Sequence, residues 1–142
     1  MMKKIGFIII LITVIIQTSC EKDEPSTWAQ NSRVALICDI TWVGEKITND
    51  EGITYQTVYV FERNGIYEKI SISIDKDGIE RQSTFRGEWI FADPGYGSIF
   101  FGYRHYWDIV ELTEKKFSVY DRSGEWDDPF MTKEYVEHTP KE

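Results

Sequence analysis

Asn64-Gly65 stands between Val58-Tyr59-Val60-Phe61 and Ile66-Tyr67-Glu68-Lys69-Ile70. A tight two-residue turn needs positive φ at both central positions, which asparagine and glycine supply, so the pair predicts a hairpin. Turn signals recur along the chain at Asn49-Asp50-Glu51-Gly52, Lys76-Asp77-Gly78, Asp93-Pro94-Gly95, Thr113-Glu114-Lys115-Lys116 and Ser123-Gly124. The segments between them are built from strand formers. Beyond Cys20 there are 12 Ile, 7 Val and 20 aromatic residues, against 3 Ala and 2 Leu, so the domain is predicted to be mainly β. Strands are expected near residues 41 to 48, 54 to 62, 66 to 75, 79 to 91, 98 to 104, 106 to 112, 116 to 121 and 132 to 138.

Residue alternation supports these strands. Ile66, Glu68, Ile70, Ile72 and Ile74 share one face, with Tyr67, Lys69, Ser71, Ser73 and Asp75 on the other; Phe85, Gly87, Trp89 and Phe91 oppose Arg86 and Glu88. One face of each strand is therefore wet. Eight antiparallel strands in sequence order lose their exposed edges most simply by closing into an up-and-down barrel, with a two-sheet β-sandwich as the competing arrangement. The inward candidates are Trp42, Tyr59, Phe61, Phe85, Trp89, Phe91, Phe101, Tyr103, Trp107 and Phe117. At ~150 to 250 Å² of buried surface each, these rings either fill an eight-stranded barrel or leave space for one small ligand.

The first 20 residues differ from the rest. Met1-Met2-Lys3-Lys4 is followed by twelve mostly apolar residues to Ile16, then by Gln17-Thr18-Ser19-Cys20. A positive start, a short apolar stretch and a small residue before the cut predict a secretory signal peptide, and twelve residues fall short of the ~20 that span a bilayer. Ser19-Cys20 resembles the lipobox of bacterial lipoproteins, although Gln17 stands where the usual pattern has leucine; an ordinary secreted protein is the alternative. The resemblance implies that Cys20 is lipidated and becomes the N-terminus of a lipoprotein of the cell envelope, since multiple acyl chains anchor where one does not. Glu21-Lys22-Asp23-Glu24 is similar to an export signal of outer-membrane lipoproteins displayed at the surface, and otherwise serves as a charged tether. The expected division is a signal peptide over 1–19, a lipidated cysteine and tether over 20–32, and one β-barrel domain over 33–142.

The remaining 122 residues hold 14 basic and 24 acidic side chains. No basic patch forms from such a balance, so nucleic acid is not an expected partner. Cys38, without a partner after processing, reads as a buried, inert thiol in Arg33-Val34-Ala35-Leu36-Ile37-Cys38. There is no phosphate loop, no nucleophile elbow and no metal signature. His105 reads as a hydrogen-bonded strand-end histidine, and Asp75-Lys76-Asp77-Gly78 as a hairpin turn rather than a calcium loop. Neither an enzyme nor a cofactor is expected.

Leu36 to Trp42, Val58 to Tyr67, Gly87-Glu88-Trp89 and Trp107 to Thr113 with Phe117 and Val119 together are similar to the lipocalin-like domains of bacterial lipoproteins. The resemblance covers about residues 33 to 138 and implies a barrel; Ile40 stands where glycine is frequent in that family. Two functions follow as expectations. The barrel binds a small apolar or aromatic ligand at a mouth lined by Tyr59, Trp89, Tyr103, Arg104 and Trp107. Alternatively, a filled barrel presents the loops Asp93 to Gly97 and Ser123 to Met131 to an envelope protein.

Overall fold

The computed structural model describes residues 31–142, which form one unit with its own core. The signal segment, Cys20 and most of the tether lie outside the described residues. Asn31 caps a seven-residue helix α1 (Ser32–Cys38), its side chain accepting from the Arg33 amide at 2.8 Å. Ten strand segments follow: β1 (Trp42–Gly44), β2 (Ile47–Thr48), β3 (Thr54–Phe61), β4 (Ile66–Ile74), β5 (Glu80–Glu88), β6 (Ile90–Phe91), β7 (Ser98–Gly102), β8 (His105–Leu112), β9 (Phe117–Ser123) and β10 (Thr132–Pro140).

All pairings are antiparallel, in the order β5-β4-β3-β1-β10-β9-β8-β7-β6, with β2 beside β3. The two ends of this path, β5 and β6, are halves of one chain segment separated by Trp89 alone. One bent strand thus pairs with β4 before Trp89 and with β7 after it. β1 closes the meander by pairing with both β3 and β10. The result is a nearly closed antiparallel barrel, and a two-sheet sandwich is not favoured. Taking β1 with β2 and β5 with β6 as single interrupted strands recovers the eight strands expected.

The hairpin turns are chemically alike. Gly52, Gly65 and Gly78 each sit at φ between +81° and +88° and donate to the carbonyl three residues back. The side chains of Asn49 and Asp75 each accept two backbone amides in the same loops, and Asn64 accepts one. Only the glycine of Asn64-Gly65 has positive φ, so the turn is a longer loop with a glycine bulge rather than the two-residue form expected. That two-residue form occurs instead at Tyr103–Arg104, with φ of 45° and 62° between the paired residues Gly102 and His105. The strand expected over 98 to 104 therefore stops at Gly102.

The core lies toward one end of the barrel. Trp42, Phe61, Ile99, Trp107 and Phe117 are fully buried there, with Trp42 edge-on to Phe117 at 5.3 Å and Phe61 to Trp89 at 5.5 Å. α1 covers this end with Val34 and Ile37. Trp42 Nε1 donates to the Leu36 carbonyl (3.2 Å) and Arg33 Nε to the Tyr96 carbonyl (3.0 Å), tying the helix to β1 and to the β6–β7 loop.

One inward assignment is corrected. Tyr103 is 97% exposed because it occupies the turn, where positive φ throws its ring clear of the barrel. Phe85 keeps the inner side, in register with Lys69 and against Tyr67, but is 58% exposed because β5 runs past the sealed part of the barrel and has β4 on one side only. The polar face of β4 also proves to be the inner one. Tyr67 is buried beneath Phe61 and Phe101, so Lys69 and Ser71 point inward and the isoleucines face out.

Candidate ligand site

Trp107 forms the floor of the open half of the barrel. Its ring meets Tyr59 at 4.7 Å and Phe101 and His138 at 4.9 Å, and its Nε1 donates to Asp121 Oδ2 at 3.1 Å. Asp121 Oδ1 lies 2.8 Å from His105 Nε2, so both oxygens of this interior carboxylate are engaged. The His105 ring leans on Phe101 at 4.9 Å.

Above this floor a cleft of about 520 Å³ opens between the β4–β5 hairpin and the β7–β8 turn. Its walls are Tyr59, Tyr67, Phe85 and Phe101, with Lys69 and His105 as its basic groups and Ser71, Gly102 and Tyr103 at its rim. The volume suits a small organic ligand. Cross-strand register places Tyr59, Lys69 and Phe85 in one row, so the lysine stem lies between two aromatic neighbours. Gly87 makes the wall possible: a Cβ there would come 2.9 Å from Tyr67 and 3.0 Å from Phe85, the rings that meet across it at 6.1 Å.

Burial pushes the Tyr59 hydroxyl far above its ordinary range, and the charge of Asp121 and the neighbouring Tyr67 add to this. Burial raises Tyr67 likewise. Both phenols are neutral hydrogen-bond donors at any physiological pH.

The residues expected at the mouth separate. Tyr59 and Tyr103 line the cleft. Trp107 lies beneath it, beside a smaller hollow of about 160 Å³ shared with Asp121 and His138. Trp89 lies toward the sealed end, its Nε1 donating to the Glu62 carbonyl at 3.0 Å; it borders a neighbouring groove of about 470 Å³, which shares Phe101 and Gly102 with the cleft. Arg104 pairs with Glu125 at 2.8 Å on the outside, both side chains well exposed, which is the pairing of a surface strand-end arginine.

Lys69, Tyr67, Phe85, His105 and Asp121 complete the site; Phe85 is one of the inward candidates of the sequence and His105 its strand-end histidine, but none of the five is among the residues expected at the mouth. The signal for Lys69 was its place in the alternation Tyr67-Lys69-Ser71, legible only once Tyr67 is known to point inward. Burial raises the Cys38 thiol to about 11, consistent with an inert cysteine beside the helix end.

Comparison with protein-family models, with curated proteins and with solved structures finds no match to this chain, so the geometry of its own side chains is what describes the site.

Proposed function

We propose that this chain is a lipid-anchored, lipocalin-like binding protein of the bacterial cell envelope, held at the outer membrane through Cys20. Its barrel takes a small apolar or aromatic molecule and performs no catalysis. The observation that carries this reading is the aromatic cleft of about 520 Å³ on the unsealed side of the barrel. Four rings around one half-open space offer apolar area and stacking surfaces. The signal sequence and the Ser19-Cys20 junction support the anchor.

A second reading has its own support. Phe130 is 91% exposed and Tyr103 97% exposed, on two loops joined by the Arg104–Glu125 ion pair and by the Gly124 amide donating to the Arg104 carbonyl. Exposed aromatic rings on tied loops suit a protein partner. The other loop considered for that role is less available: the Asp93 carboxylate accepts the Gly97 and Ser98 amides, and the Tyr96 ring stacks on Phe91.

Native mass spectrometry of the protein purified from its own host distinguishes the two. The ligand reading expects a small-molecule adduct that departs on gentle activation and is lost in Tyr59→Ala. A stoichiometric protein complex without an adduct overturns it in favour of the loops.

A further inference from the structure

We infer that the ligand of this cleft is an organic anion, with its acid group held by Lys69 and its apolar body against Tyr59, Tyr67, Phe85 and Phe101. This deepens the small-ligand reading proposed above and rests on it.

Lys69 is half-buried, faces inward and lines the cleft. Five other basic side chains, Arg63, Arg86, Arg104, Lys116 and Arg122, pair with acids. The Lys69 amine has neither an ion pair nor a hydrogen bond among the described residues, in a chain of formal charge −8. A part-desolvated cation without a partner is unfavourable by itself and becomes favourable when an anion reaches it.

The surrounding charges are arranged to leave that position open. On the cleft side of the β4–β5 hairpin the register aligns Lys69 with Phe85, Ser71 with Ser83, and Ser73 with Arg81, so these three rows carry two cations, three hydroxyls and no acid; Asp75, next on this face, lies past β4 in the turn, where its carboxylate accepts the Asp77 and Ile79 amides. The outer face of the same hairpin holds Glu68, Glu80 and Glu88, with Arg86 drawn to Glu68 at 2.8 Å. The interior acid at this level, Asp121, is engaged by His105 and Trp107. Arg81 lies four residues along the hairpin from the Lys69 row, ~13 Å further out, and draws anions toward the mouth. An ammonium is a compact point charge rather than a planar fork, so Lys69 accepts a carboxylate, sulfonate or phosphate without strict geometry.

Two fluorescent probes with the same rings test this in the chain from Cys20 onward, with Cys20→Ser to leave it free of lipid. 8-Anilinonaphthalene-1-sulfonate carries an acid group, and N-phenyl-1-naphthylamine lacks it. The wild type should bind the sulfonate at least about tenfold more tightly, a difference of ~1.4 kcal/mol. Lys69→Met, which keeps the apolar stem, should abolish the preference, and Lys69→Arg should retain it. Near-UV circular dichroism checks that each variant is folded. If Lys69→Met does not fold, the wild type decides alone: its preference must be present and must shrink as salt is raised, because the acid is held by charge. Equal affinity for the two probes, or a preference that survives Lys69→Met, overturns the anion assignment while leaving the cleft as a site for neutral ligands. Binding of neither probe removes the small-ligand reading and the anion assignment together.

Discussion

Arg122 and Asp108 form an ion pair at 2.6 Å on the outer wall of the barrel, and the arginine side chain is only 8% exposed. The guanidinium lies against the rings of Tyr106 and Trp126, 5.0 and 4.8 Å from their centroids, and the two rings meet each other at 5.0 Å. It also donates to the Trp126 carbonyl at 3.2 Å, while Asp108 accepts from Ser98 at 2.6 Å. Residues 124 to 131 are thereby folded back over β8 and β9, and Met131 is buried beneath them. A segment rich in turn residues and acids becomes part of the wall because it covers a charge that needs covering.

Removing the carboxylate leaves that guanidinium buried without its counter-ion. Asp108→Ala should cost ~3 kcal/mol in chemical denaturation, the lower end for breaking a buried pair, since Asp108 is itself partly wet. It should also expose residues 124 to 131 to proteolysis. A cost within that of an ordinary surface ion pair would show that the rings, rather than the charge, hold the loop.

Trp89 joins the two halves of the bent strand that closes the barrel. Its amide donates to the Gly65 carbonyl at 2.8 Å and its indole to the Glu62 carbonyl, while its ring packs on Phe61 and Phe91. Trp89→Ala should destabilise by ~3 to 5 kcal/mol. Hydrogen exchange should speed up first in β6 and β7, whose pairing depends on the bend. A loss below ~1 kcal/mol would mean that closure does not depend on this residue.

The Tyr103–Arg104 turn holds two side chains in a backbone region that disfavours them, at a cost of order 1 kcal/mol each. Tyr103→Asn with Arg104→Gly supplies residues suited to this turn. The pair should raise the melting temperature, since the Arg104–Glu125 ion pair given up is exposed and contributes little. A lowered melting temperature would assign the exposed pair more weight than its exposure suggests.

His138 is buried against Trp107 and Tyr59, with Nδ1 on the Phe117 carbonyl at 3.0 Å. Burial holds its pKa below the ordinary 6.5, against the opposing effects of the carbonyl and of Asp121. The unfolded chain therefore binds more protons than the folded one between the lowered value and 6.5. The contribution of His138 is fully present above that range and is lost as pH falls through it. Denaturation midpoints should drop more between pH 7 and 5 in the wild type than in His138→Gln. Parallel slopes would count against a neutral buried imidazole.

Cys20→Ala should abolish acyl labelling and release the protein from membranes. Continued fractionation with membranes would refute the anchor.

The sequence alone determined the strands. Hydrophobic alternation and glycine-bearing turns are local properties, so the segments around Gly52, Gly65 and Gly78 and the meander order were legible without coordinates. Trp42, Phe61, Trp107 and Phe117 were also foreseen as core, because each lies on the apolar face of its own strand. Tertiary structure decided what depends on neighbours distant in sequence. α1 forms because Val34 and Ile37 have an open barrel end to cover, although seven residues are too few to hold a helix alone. The inner face of β4 is its polar one because Tyr67 is recruited by Phe61 and Phe101, from β3 and β7. Tyr103 and Arg104 turn outward because register leaves two residues to reverse the chain. The cleft follows from the same cause: Lys69 and Phe85 come beside Tyr59 only through cross-strand pairing, and no short-range pattern in a single strand encodes which strand will lie next to it.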